Sequence, residues 1–295
     1  MGGARMTNNA MHWTTLVSAE ALSAALDRTD LVMLDARFAL SDLMQGERDY
    51  ATAHIPGARY ANLDRDLSDL TRVGHGRHPL PDPEAFCATL SGWGVTADTQ
   101  VVAYDARDGA FTAARVWCLL GLLGHTRVVV LDGGLARWRE LLLPLTDAVT
   151  PDAKSTHYRA DYDPARLIGS DELRDLRSDS AMRLIDARGG ERFRGEVEPI
   201  DKAAGHVPGA VNRPYAENVR DDGTFRSAHE LAAGFRALIG DRPIENVAVM
   251  CGSGVTACHH LLAMEHAGIF GARLYADSWS GWISDPSRPI ATGVD

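Results

Sequence analysis

With 295 residues the chain has room for two domains, each of about 140 residues, and 45% hydrophobic and 24% charged residues exclude collagen-like, disordered and disulfide-scaffold classes. A formal charge of -10, with no basic cluster to offset it, argues against nucleic acid or an anionic membrane surface as a partner. The four cysteines are scattered and no histidine set has metal-ligand spacing, so free thiols and no metal are expected.

The opening stretch MGGARMTNNAMHW has no apolar core for a signal sequence and no apolar run is long enough to span a bilayer, so a cytoplasmic protein is expected. In chain order, Leu31–Leu34 reads as a buried strand, as do Val101–Tyr104 and Val128–Leu131, with Ala113–Leu123 helical between the last two. Thr146–Asp163, where Pro151 and polar residues break the apolar periodicity, reads as a linker between domains at 12–145 and 164–295. Arg183–Ile185, Val247–Met250 and Arg273–Tyr275 then read as strands, and Thr256–Ala267 as a helix closed by Gly268. Strands alternating with helices predict an α/β fold in which each half is a parallel sheet flanked by helices.

The two halves carry the same text. LVMLDAR ending at Arg37 returns as MRLIDAR ending at Arg188, AHIPGA from Ala53 returns as GHVPGA from Gly205, and LDGGLARW from Leu131 is answered by YADSWSGW from Tyr275. A duplicated chain supplies its own control: residues kept in both copies are more plausibly structural than catalytic. His54 with His206, and the Asp35–Arg37 and Asp186–Arg188 pairs, fall on that side as turn histidines and ion pairs. What differs is the residue after the central strand, Asp105 in the first copy and Cys251 in the second, with the loop after Asp105 two residues longer. The ends of parallel strands are where reactive groups sit in open α/β sheets.

Cys251 opens the segment CGSGVTA, which runs from a buried strand into a helix through two glycines. The amides of Gly252, Ser253, Gly254, Val255, Thr256 and Ala257 can then turn inward and, with the helix N-terminus, stabilise an anion at the sulfur. Cys258, on the following helix, reads as packing. A phosphatase built on a similar cysteine loop needs an arginine six residues after the cysteine, and that residue is Ala257.

The duplicated DAR and HIPGA elements, together with CGSGVTA and SWSGW, resemble the family of rhodanese and 3-mercaptopyruvate sulfurtransferases over nearly the whole chain. The resemblance implies two tandem rhodanese-like domains, an inactive first one, and a Cys251 persulfide that passes sulfur from a small donor to a thiol, such as that of a thioredoxin-like protein, or to cyanide, without a cofactor. It further implies that Arg192, in ERFRGEVEP, grips the donor's anionic end and that Ser253 moves a proton. Uncharged Gly252 and Ser253 favour mercaptopyruvate; thiosulfate as the donor, or a non-catalytic persulfide carrier, are the alternatives. Three positions depart from the family: Ile200, with Lys202 nearby, stands in place of a second arginine; Asn62 stands in place of an acid, with Asp64 as its substitute; and Asp277 replaces a turn glycine.

Overall fold

A computed structural model describes residues 12–176 and 181–294; most of the opening stretch read above lies outside them. The first half is a five-stranded sheet of β1 (Leu16–Val17), β2 (Leu31–Asp35), β3 (Arg59–Tyr60), β4 (Gln100–Tyr104) and β5 (Val128–Leu131), in the order β1-β5-β4-β2-β3. The second is a four-stranded sheet of β6 (Arg183–Asp186), β7 (Val211–Asn212), β8 (Val247–Met250) and β9 (Arg273–Leu274), in the order β7-β6-β8-β9. Every strand pair is parallel, with Met33 opposite Val102 in the first sheet and Ile185 opposite Val249 in the second. The place that β1 fills in the first sheet is held in the second by a single parallel bridge from Leu167 to Leu274. Each sheet is covered by helices on both faces, which is why β4, β5 and β8 are buried along their whole length and, apart from Gln100 at the start of β4, read as unbroken apolar runs.

The repeated motifs hold equivalent places. His54 Nδ1 lies 2.8 Å from the Tyr50 carbonyl with its ring stacked on Tyr50, and His206 Nδ1 lies 2.8 Å from the Phe193 carbonyl with its ring stacked on Phe193. Arg37 pairs with Asp35 at 2.6 Å and also donates to the Ala53 carbonyl; Arg188 pairs with Asp186 at 2.7 Å and donates to the Gly205 carbonyl. Trp138 and Trp282, both fully buried, donate their indole N–H to the Pro144 and Pro289 carbonyls at 2.8 and 2.9 Å, satisfying the one polar atom of each large apolar ring.

The two halves meet along the Thr112–Leu122 and Ala257–His266 helices. Both are buried around nearly their whole circumference, because one face covers a sheet and the other covers the partner helix. Within this seam Asn218 donates to Nδ1 of His259 and of His260, at 3.1 and 2.8 Å, while their Nε2 atoms lie 3.1 Å from the Asp108 carbonyl and 2.8 Å from the Arg213 carbonyl. Burial pushes His259 down to about 4 and His260 to about 3, so both rings are neutral with the proton on Nε2. Among the described residues no helix is long and apolar enough to cross a membrane, and no group of three or more His, Cys, Asp or Glu is placed to hold a metal ion.

Candidate active site

Cys251 follows the last residue of β8 at the carboxyl edge of the second sheet, and it lines a cavity of about 280 Å³ between the two domains. Its backbone is fixed from the Ser278–Trp282 helix: Cys251 N–H donates to Ser278 Oγ (3.1 Å), and the carbonyls of Cys251 and Gly252 accept from Trp279 and Ser280. Gly254 has φ +76°, and a Cβ there would lie 2.2 Å from the Ala276 carbonyl oxygen, so only glycine lets the loop turn this tightly. The five backbone N–H groups from Gly252 to Thr256 make no hydrogen bond to any described residue. Val255 and Thr256 also line the cavity, and Ala257 starts the helix. Unpaired donors at the start of a ten-residue helix form a cradle for an anion.

The first domain shows the same loop filled. The Asp105 carbonyl accepts from Leu135 as that of Cys251 accepts from Trp279, but the Asp105 carboxylate folds back to accept from the amides of Arg107 (3.2 Å) and Gly109 (3.0 Å). An acid of this chain thus occupies the cradle that the second domain leaves open. Burial, reinforced by Asp108, pushes Asp105 up to about 6, and its Oδ2 has no hydrogen-bond partner among the described residues. An acid whose folded pKa is raised contributes stability below its unfolded value of 3.8, and that contribution is lost as pH rises through about 6. Asp105→Asn is therefore expected to stabilise the protein at pH 7, by about 1–2 kcal/mol once the weaker amide contacts are discounted, and to have little effect near pH 4. Urea unfolding at the two pH values checks this; an equal effect at both would contradict it.

Across the cavity a first-domain segment supplies a histidine with no obvious signature in the sequence. His78 Nδ1 lies 2.8 Å from Ser253 Oγ, and its Nε2 lies 3.5 Å from Asp64 Oδ1. Burial, with Arg115 and Arg77 nearby, pushes His78 down to about 3, so its ring is neutral. Burial raises the Asp64 carboxyl. Asn62 is instead the N-cap of the Leu63–Asp66 helix, its side chain accepting from the amides of Asp64 and Arg65. The structure thus brings Ser253, His78 and Asp64 into one line, a geometry suited to passing a proton.

Arg192 lines the same cavity, with Nε and Nη2 on Glu198 (Nη2 to Oε1 2.8 Å) and Nη2 also 3.0 Å from Asp201. Ile200 faces the cavity, whereas Lys202 does not line it. Arg188 lines it too, so its ion pair with Asp186 does not confine it to scaffolding. Cys258 is buried in the seam with its thiol on the Gly254 carbonyl, away from the cavity lining.

Three residues explain how a first-domain segment comes to sit over a second-domain loop. Arg115 is fully buried and faces no carboxylate among the described residues; it donates to the carbonyls of His78 (3.1 Å), Pro79 (3.2 Å), Leu67 (3.3 Å) and Gly254 (3.2 Å). Asp277 accepts from Ser170 at 2.9 Å and lies 3.0 Å from His75 Nδ1, which gives the turn acid a role in docking the His75–His78 segment. Ser280 Oγ accepts from the Arg77 amide at 3.1 Å.

Two copies of one parallel α/β fold, with a single cysteine in an amide-lined loop, define the class. The chain belongs to the rhodanese family: the rhodanese-like domain model matches residues 18–141 and again 170–285. It is 47% identical over 280 residues, 94% of this chain and 98% of the relative, to a Pseudomonas aeruginosa protein described provisionally as a 3-mercaptopyruvate sulfurtransferase. It is 39% identical over 286 residues, 95% of this chain and 97% of the relative, to a Mycobacterium tuberculosis protein described provisionally as a thiosulfate sulfurtransferase. Among solved structures, the Escherichia coli 3-mercaptopyruvate sulfurtransferase superposes with a TM-score of 0.79 at 32% identity, over 91% of this chain and all of that one.

Proposed function

We propose that the protein is a 3-mercaptopyruvate sulfurtransferase that works through a Cys251 persulfide. The observation that carries this reading is the hydrogen bond between Ser253 and a neutral His78 backed by Asp64. When the Cys251 thiolate attacks the donor sulfur, an S–S bond forms, the C–S bond breaks, and its electron pair becomes the enolate of pyruvate. The donor's thiol proton must reach the carbon that was bonded to sulfur. Ser253 and His78 supply the relay, and Asp64 holds the imidazole. The outer sulfur stays as a persulfide anion in the unpaired amides of Gly252–Thr256 until an acceptor thiolate attacks it and releases Cys251. Arg192 takes the donor's carboxylate.

Thiosulfate needs no such relay, because sulfite departs without protonation at carbon. The second reading, thiosulfate as donor, draws on the provisional description of the mycobacterial relative and on the guanidinium groups beside Gly252. Steady-state kcat/KM for the two donors, with a thiol acceptor, separates them. His78→Ala is expected to lower kcat/KM for mercaptopyruvate by about 10²-fold and to affect thiosulfate far less. A parent enzyme that favours thiosulfate, or equal losses for both donors, would defeat the mercaptopyruvate reading. Absence of multiple turnover with either would leave a persulfide carrier.

A further inference from the structure

Two guanidinium nitrogens without partners among the described residues converge on one side of Gly252, the residue after Cys251, in the cavity that Cys251 lines. A Cβ on Gly252 would lie 3.0 Å from Arg77 Nη2 and 3.7 Å from Arg192 Nη1, and neither nitrogen makes a hydrogen bond to any described residue. Behind them one carboxylate holds both side chains: Asp201 takes Arg77 Nη1 on Oδ1 and Arg192 Nη2 on Oδ2, and its side chain is almost fully buried. Arg77 Nε is buried without a partner among the described residues. Arg77 belongs to the first domain, and its backbone is docked on the second through Ser280, while Gly76 approaches the Asp277 carbonyl so closely that a Cβ there would lie 2.6 Å from it.

From this geometry we propose that Arg77 is the second anion-binding residue of the cleft, forming with Arg192 a two-arginine clamp, supplied by both domains and held in register by Asp201, for the carboxylate of the sulfur donor. The charge balance favours it. Around the cavity Arg77, Arg188 and Arg192 are matched by Asp186, Glu198 and Asp201, so no cation is in excess, and a donor carboxylate beside a thiolate must be held by hydrogen-bond donors still unspent. Arg77 Nη2 and Arg192 Nη1 are such donors, and a planar carboxylate can bridge them. Arg188 also has a nitrogen unpaired among the described residues, Nη1, but its Nε and Nη2 are committed to Asp186 and the Gly205 carbonyl and Nη1 itself faces Glu198 at 3.7 Å, so it is less free to turn toward a donor.

The inference rests on the cleft being the sulfur-donor site, so its test uses probes that do not depend on which donor is native. The rate of Cys251 alkylation by iodoacetate, an anion, is compared with that by neutral iodoacetamide in the parent, Arg77→Ala and Arg77→Lys proteins, with kcat/KM for mercaptopyruvate measured alongside. Arg77→Ala is expected to lower the iodoacetate rate by about tenfold or more, with the iodoacetamide rate within about twofold of the parent, and Arg77→Lys to recover part of the loss. An unchanged ratio of the two rates would overturn the proposal. So would an equal slowing of both reagents, which would make Arg77 a support of the cleft and nothing more. A fall in the ratio in a protein that does not turn over mercaptopyruvate would uphold the clamp while defeating the donor assignment.

Discussion

Cys251→Ser is expected to reduce sulfur transfer to background, a loss on the order of 10³-fold or more, with the unfolding midpoint almost unchanged. The cysteine is buried at the mouth of the loop and its thiol makes no hydrogen bond with any described residue, so the smaller hydroxyl removes little packing and orphans no partner. The amides that would cradle a persulfide can still solvate the serine. What is lost is the chemistry: an alcohol is far less acidic than a thiol and cannot hold a sulfane sulfur. Steady-state assays with both donors and a urea titration check the two halves of this statement. Residual turnover within about tenfold of the parent would place the nucleophile elsewhere.

The second large effect concerns stability. Arg115→Leu is expected to cost about 3–5 kcal/mol of unfolding free energy and to depress kcat in whatever folded protein remains. Two terms compete. Removing a buried cation relieves its desolvation, which favours the leucine. Against that, the carbonyls of His78 and Leu67 lose their donor, at about 1–3 kcal/mol for each buried acceptor left without one, while those of Pro79 and Gly254 lose a donor but keep the Asp69 amide and the Cys258 thiol. Two orphaned acceptors and two weakened ones outweigh one relieved charge whose hydrogen bonds were already complete. The His78 segment and the Cys251 loop also lose the tie between them. Urea unfolding followed by far-UV circular dichroism measures the loss; a change under about 1 kcal/mol would show that water replaces the guanidinium and that Arg115 does not hold the cleft together.

Much of this architecture can be read from the chain because it is written twice. The Val128–Leu131 and Val247–Met250 strands begin and end where their apolar runs do, and the helix expected at Thr256–Ala267 differs only in that these two residues are its caps. Cys251 stood out because its counterpart is Asp105. The same comparison was blind to the rest of the cleft. His78 and Arg77 lie in GHGRHPLP, a loop without periodicity, and reach Ser253 and Gly252 across some 175 residues of sequence through docking contacts that no local pattern encodes. Comparing copies sorts residues by repetition, so it set Arg188 aside as an ion-pair partner and could not show that it also lines the cavity. Arg115 did leave a trace, a lone arginine within TAARVWCLLGL, but only the tertiary structure shows the four carbonyls that pay for its burial.

The central claim is that Cys251 alone carries the transferred sulfur, and the most direct test is mass spectrometry of the protein after exposure to 3-mercaptopyruvate and again after adding an acceptor thiol. The account predicts one added sulfur atom, on the peptide containing Cys251, that disappears when the thiol is added. Sulfur found on Cys87, Cys118 or Cys258, or no added sulfur at all, would contradict it.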